Sequence, residues 1–402
     1  MSGLNRRELL RLGLGGAPLG VSRAATAGEQ RPRIAAVVTE YRENSHADVI
    51  VTKFLEGCAV LNTRFDPRVR IASLYLDQVP PNDLGREIAA RHGVPVYDSI
   101  RKAMTLGGDR LAVDGVLLIG EHGRYPYNEL GQHLYPRKRF FDEAVAVIRE
   151  AGRPVPVFND KHLSYSWVEA KSMYDTARAL KIPFMAGSSL PVTWRKPEVE
   201  LPAGTRVPEA LVVAYGPVEA YGFHALETLQ CMLERRRGGE TGVRRVRCLS
   251  GEAVWKAGVP QELVAAALSR SEKAEVRAAT WDRVQSRVME PDLFELEYRD
   301  GTRGRVLMLP GLVEEFLFAA RVEGRAEPLS SLFWLQDGKP FGHFARLSDA
   351  IQRMFLTGQP TYPVERTLLT TGVLDRVMQS RHRKGEPLET PELGLTYRPA
   401  AR

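Results

Sequence analysis

Asp160, Lys161 and His162 follow the apolar run VPVF at residues 155–158 after a single Asn159, so a carboxylate, an amine and an imidazole stand side by side where a buried strand would end. Such a trio can hold a hydroxyl group and move its proton. The same pattern recurs elsewhere. Glu121 and His122 close the apolar run GVLLIG at 115–120, His46 follows the first apolar run RIAAVV at 33–38, and His224 lies in AYGFHALE. Acid/base chemistry at Lys161, with Asp160, His122 and His224 as partners, is one reading of these residues. A second is a divalent metal held by His46, Glu121, His122 and His162, because two or three imidazoles with a carboxylate can ligate an ion and leave a position for substrate. The spacings contain no compact ligand motif. The plainer alternative is that each histidine satisfies a hydrogen bond at a strand end.

The elements that would bring these residues together are legible as an alternation of short apolar runs and helix-like stretches from Arg33 onward. Strands are predicted at RIAAVV, VRIASLYLD, VPVY, VDGVLLIG, VPVF and PFMAG. Helices are predicted at HADVIVTKFLEG, NDLGREIAARHG with Asn82 as cap, SIRKAM, RKRFFDEAVAVIREAG and SWVEAKSMYDTARALK. Six strands separated by helices predict a doubly wound, Rossmann-like parallel sheet over residues 30–195. In such sheets ligands sit beyond the carboxyl ends of the strands, which is where Glu121, His122, Asp160, Lys161 and His162 fall.

Beyond PVTWRKPEVELPAGTRVP the pattern changes. The helix FHALETLQCMLERRRGG is followed by strand-like pieces VRRVRCLSG, DLFELEYRDGTRGRVLML and EPLSSLFWLQDG, with a hairpin turn at Asp300-Gly301. An α+β domain with an open-faced sheet is expected at 196–345, and helices HFARLSDAIQRMFLTG and VERTLLTTGVLDRVMQSRHRKG at 346–402, packing back on the first domain. Glu129 and His133 share a helical spacing, but Gly131 and Pro136 favour a loop. Arg195, ending GSSLPVTWR, is either a ligand-binding cation or a structural ion-pair partner.

Composition fits a folded globular chain: 402 residues, 44% hydrophobic and 26% charged. The net charge of +7 includes four arginines against one glutamate in the first 27 residues, and no basic run is interleaved with aromatics, so nucleic acid is not an expected partner. Arg6 and Arg7 precede a short, Gly-rich apolar stretch and then Ala25 and Ala27. That layout resembles a twin-arginine leader over residues 1–27, too short to span a bilayer, and it implies export to the periplasm or beyond. A cytoplasmic N-terminal extension is the alternative. Cys58, Cys231 and Cys248 show no metal spacing and read as buried small hydrophobes.

The order of elements, together with DLGREIAARHGVPVYDSIRKAM and the tail YPVERTLLTTGVLDRVMQSRHRKG, resembles the glucose-fructose oxidoreductase, inositol dehydrogenase and MocA (Gfo/Idh/MocA) family over roughly residues 33 to 400. The resemblance implies a sugar or polyol oxidoreductase using NAD or NADP. Asp160-Lys161-His162 stands at the family's Glu-Lys-Pro position, which gives Lys161 the role of meeting a sugar hydroxyl and His224 an acid/base role. Thr39, Asp77, Gly120 and Glu121 take the positions that would face the dinucleotide. Self-association through the open sheet is a further implication.

Departures from the family pattern point the other way. After the first strand comes TEYRENSHADVI, without the glycines that let a pyrophosphate reach a helix N-terminus, and Ala220 stands where the family places an acid four residues before the histidine. Tyr221 or Glu227 could substitute for that acid. Three functions therefore remain: an NAD(P)-dependent oxidoreductase, a dinucleotide-free sugar lyase or hydrolase, or a non-catalytic carbohydrate-binding protein.

Overall fold

A computed structural model describes residues 31–399, so the expected leader lies outside the described residues. Six parallel strands form the first sheet, in the spatial order Val96–Tyr97, Arg70–Leu76, Arg33–Val38, Gly115–Ile119, Val157–Asp160, Phe184–Gly187. In chain order this is 3-2-1-4-5-6, and the direction of winding reverses between the first and fourth strands, the place where sheets of this order offer a ligand crevice. The central strands are apolar throughout because helices cover both faces. His46–Glu56 and Gly342–Thr357 bury Ile34, Ala36, Val38, Leu117 and Ile119 on one side. Ile100–Thr105, Arg137–Ala151 and Trp167–Ala179 bury Ala35, Val37, Val116 and Leu118 on the other.

The second sheet has eight strands, in the order Leu388–Glu389, Val243–Ser250, Asp292–Tyr298, Arg303–Met308, Glu209–Ala214, Phe316–Arg321, Leu329–Trp334, Trp194–Lys196. Its neighbours run antiparallel except Glu209–Ala214 beside Arg303–Met308. The expected hairpin forms at Asp300-Gly301, where Gly301 has φ 87° and Asp300 accepts from the Thr302 amide. Phe294, Leu296 and Tyr298 face the helices Val218–Leu233 and Val364–His382.

The opposite face, expected open, alternates Leu293 with Glu295 and Glu297. Its apolar end, including Leu211, Val213, Leu293, Leu307, Leu317 and Leu332, is covered by short helices between Glu252 and Arg287. The remainder is a ladder of Arg247, Glu295, Arg305, Glu209 and Arg321. Apolar side chains on that face account for the cover.

Local differences from the sequence reading have simple causes. Asn82 does not cap its helix: the helix is Gly85–Arg91, and Asp83 accepts from the Gly85 and Arg86 amides instead. A small hairpin, Cys58–Val60 with Thr63–Phe65, is too short to leave a periodic signal. All three cysteines are unpaired, with Cys231 and Cys248 buried.

The C-terminal helix Val364–His382 ties the two sheets together beside the crevice. Thr371 Oγ1 accepts from the Leu163 amide at 3.1 Å, Asp375 from the Trp167 amide at 3.0 Å, and Thr367 donates to the Ala186 carbonyl at 2.7 Å. The loop that follows Lys161 and His162 is thereby fixed from behind.

Candidate functional site

Lys161 leaves its strand in the left-handed region, φ 57°, with its amide bonded to the Gly187 carbonyl at 3.0 Å. His122 does the same after the fourth strand, φ 71°. Left-handed backbone at a residue other than glycine costs about 1 kcal/mol or more and persists only where surroundings enforce it. Here both turns deliver side chains to one place. Lys161 Nζ lies 2.8 Å from Glu121 Oε1, and Arg137 Nη2 donates to Glu121 Oε2 at 2.5 Å. All three residues are buried. Burial alone would raise the Glu121 carboxyl, but Lys161 and Arg137 outweigh it and hold the group well below the usual carboxylate range.

Arg137 also donates through Nη1 to His162 Nε2 at 3.0 Å. A guanidinium has no acceptor, so His162 carries its proton on Nδ1, which has no hydrogen-bond partner among the described residues. Burial, reinforced by Arg137, keeps this imidazole neutral. The same argument applies to His122, whose Nδ1 accepts from Arg42 at 3.3 Å. Burial and His46 push its pKa down to about 3. His46 Nδ1 sits 2.6 Å from Asp160 Oδ2, a carboxylate that fixes the ring, and the His46 and His122 rings meet edge to face at 5.3 Å.

Helices of the second half complete the enclosure. Glu219, in the first turn of Val218–Leu233, has Oε1 at 3.6 Å from His162 Nε2 and no hydrogen-bond partner for that atom among the described residues. Burial raises its carboxyl to about 7, and Glu121 adds to the effect while Arg137 opposes it. His224, further along the same helix, is within electrostatic range of Lys161, His46 and Glu121 and is held neutral chiefly by burial. His343, on Gly342–Thr357, is pushed down to about 3 by burial and by Lys53.

Of the residues singled out in the sequence, Glu121, His122, Asp160, Lys161, His162, His46 and His224 belong to this one cluster. Glu227 lies behind it: its carboxylate accepts from the Ser188 amide at 2.7 Å, and its pKa is raised to about 7 by burial. Tyr221 packs on Tyr215 and Phe316 and meets the His224 ring edge to face at 6.0 Å. Arg195 bonds Glu200 and the Val199 carbonyl, the structural alternative. The proposed metal set does not assemble, because Glu121 is taken by two cations and His162 by Arg137, and among the described residues no three His, Cys, Asp or Glu side chains gather as ligands. Sequence reasoning passed over Arg137, Glu219, Arg42 and His343. The one available signal was the adjacency of Glu219 to Ala220.

The four positions expected to face a dinucleotide are occupied by other interactions. Thr39 Oγ1 donates to the Glu121 carbonyl at 2.6 Å. Asp77 accepts from Tyr75 at 2.7 Å, Tyr125 at 2.6 Å and Arg139 at 2.5 Å, so neither oxygen points to a ribose. Gly120 is small because Arg137 crosses it: a Cβ there would lie 2.7 Å from Arg137 Cγ. Glu121 is the ionised centre of the buried pair. These residues do not fit a nicotinamide dinucleotide.

No family model matches the sequence, and no curated protein matches it. Solved structures do share the fold. GenD2 from gentamicin A biosynthesis, in complex with NAD, aligns with TM-score 0.55 at 14% identity, covering 90% of this chain and 96% of that one. The scyllo-inositol dehydrogenase from Lactobacillus casei aligns with TM-score 0.54 at 10% identity, over 90% and 98%. The aldose-aldose oxidoreductase from Caulobacter crescentus, complexed with glycerol, gives 0.50 at 13%, over 89% and 99%. At these identities the likeness is one of architecture, a Rossmann-like parallel sheet joined to a mixed sheet.

Proposed function

We propose, from an architecture shared with sugar and polyol oxidoreductases, that this protein is an enzyme that takes a small sugar-like molecule into the crevice and moves a proton there. The domains expected over residues 30–195 and 196–345 are read as the two lobes that enclose it. The observation that carries the reading is the buried Glu121, Lys161 and Arg137 triad at the strand ends, surrounded by imidazoles held neutral. An ammonium fixed against a carboxylate is a donor for a substrate hydroxyl, and an imidazole oriented by a carboxylate can take its proton. Lys161 meets the hydroxyl. His46, oriented by Asp160, is the proton acceptor and Glu219 the proton donor, with His224 in an acid/base role beside them. Two carboxyls pushed to opposite ends of the scale, Glu121 down and Glu219 up, are what acid/base division of labour requires.

Oxidation of a hydroxyl with NAD or NADP is a second reading, supported by the shared fold with GenD2, a structure solved with NAD. Residues 1–27 are proposed as a twin-arginine leader sending the folded chain to the periplasm. Cell fractionation after changing Arg6 and Arg7 to lysine tests this, and unchanged export refutes it.

The site is tested with Lys161→Met, which keeps the length of the side chain. Wild-type protein is expected to gain thermal stability from at least one of D-glucose, D-gluconate and myo-inositol, and the variant to lose that gain. An equal gain in the variant, or none in wild type, refutes the reading.

A further inference from the structure

We infer that the nucleotide half of the crevice is closed by the chain's own side chains, and that the protein works without a nicotinamide dinucleotide. The statement about binding stands on the geometry alone. Its consequence for the reaction rests on the reading of Lys161 above.

A dinucleotide lying over a 3-2-1-4-5-6 sheet needs three things: free amides where the first helix begins, an acceptor for a ribose at the second strand, and an open path across the switch point. Each is used up. At the helix start, Ser45 Oγ accepts from the Asp48 amide at 3.3 Å and from the Arg42 amide at 3.2 Å, while Asp48 Oδ2 takes the Asn44 amide at 2.9 Å. Asp48 and the buried Glu40 thus put carboxylates where phosphates would lie, and like charges repel there.

At the second strand, Tyr75 and Arg139 bond Asp77 Oδ1 and Tyr125 bonds Oδ2, so both oxygens are engaged. Gln78 then clasps the segment after the fourth strand twice, donating to the Arg124 carbonyl at 3.0 Å and accepting from its amide at 2.8 Å. Across the switch point itself, Arg42 reaches from Glu40 on the first-strand side to His122 on the fourth. The closure is built from residues in four separate stretches of the chain. A ligand that must first break these bonds loses affinity in proportion to the rarity of the open state.

With that half filled, the open chemistry at Lys161 is transfer of a proton, and electrons stay within the substrate. The reaction class is then redox-neutral, as in a lyase or hydrolase.

The test uses the full chain purified under native conditions. Denatured samples are analysed by mass spectrometry for NAD and NADP, and intact protein is titrated with NAD+, NADH, NADP+ and NADPH by calorimetry. The expected result is no stoichiometric nucleotide and no saturable binding. One nucleotide per chain, or saturable binding by any of the four, overturns the inference. The two claims fail separately. Nucleotide binding combined with a Lys161-dependent response to sugars sinks only this one, and a sugar response indifferent to Lys161→Met sinks only the functional reading.

Discussion

Glu121 is the residue on which the site turns, because one carboxylate bonds two buried cations. Breaking a buried ion pair by removing one partner typically costs about 3–5 kcal/mol, since an uncompensated charge is left in a poorly solvated place. Glu121→Gln is therefore expected to destabilise the protein by about that much, measured by urea denaturation. A loss below about 1 kcal/mol, the usual worth of a solvated surface pair, would show that the triad is hydrated. At this scale the sequence was informative where polar residues interrupt an apolar run. Asp160, Lys161, Glu121 and His122 announce themselves in that way, and all reach the cluster. Arg137 does not, being one of several charged residues at the start of an amphipathic helix, and neither does Glu219, a single acid in a helix first turn. Asp77, expected to face a dinucleotide, instead bonds Tyr125 and Arg139, which lie 48 and 62 residues further along the chain.

The site also depends on how closely elements approach. The helix Arg137–Ala151 begins directly above the fourth strand, and Arg137 fills the space over Gly120. Gly120→Ala is expected to displace Arg137 from Glu121 and to cost about 1–3 kcal/mol, the usual penalty of overpacking. Denaturation midpoints would check the size of the loss. The displacement predicts a second effect, a smaller loss on Glu121→Gln in the Gly120→Ala background, and strictly additive losses would reject it. Element identity was readable from periodicity: all six strands of the parallel sheet and both terminal helices fall where the pattern puts them. The short helices between residues 252 and 287 left too weak a pattern, and with them went the knowledge that half of the second sheet's outer face is covered.

For the molecule as a whole, the buried titratable groups set the response to pH. His122 and His343 are depressed from 6.5 to about 3, and His162 and His224 well below 6.5. Below pH 6.5 the unfolded chain takes protons on these four rings that the folded chain refuses, so acid destabilises. Glu219 and Glu227 act oppositely: raised from 4.5 to about 7, they hold protons in the folded chain that the unfolded chain has released, so their contribution is lost as pH rises through that range. Four histidines outweigh two carboxyls, and stability is expected to rise from pH 4.5 to 6.5 with a slope of about two protons on average, then level off toward 7. Stability that climbs on acidification below 6.5 would contradict the burial of the histidines. Glu219→Gln is expected to steepen the rise by about one proton, as measured by denaturation across that range.

The sequence by itself determined the doubly wound sheet, the second sheet with its Asp300-Gly301 hairpin and the polar residues at the strand ends. These follow from local periodicity and turn chemistry, which neighbouring residues write directly. Only the tertiary structure decided what those residues do to one another. Whether Asp77 faces a ribose or a tyrosine, and whether Arg42 lines a crevice or crosses it, depends on contacts between distant segments, and the energies that choose among such contacts belong to no single stretch of chain.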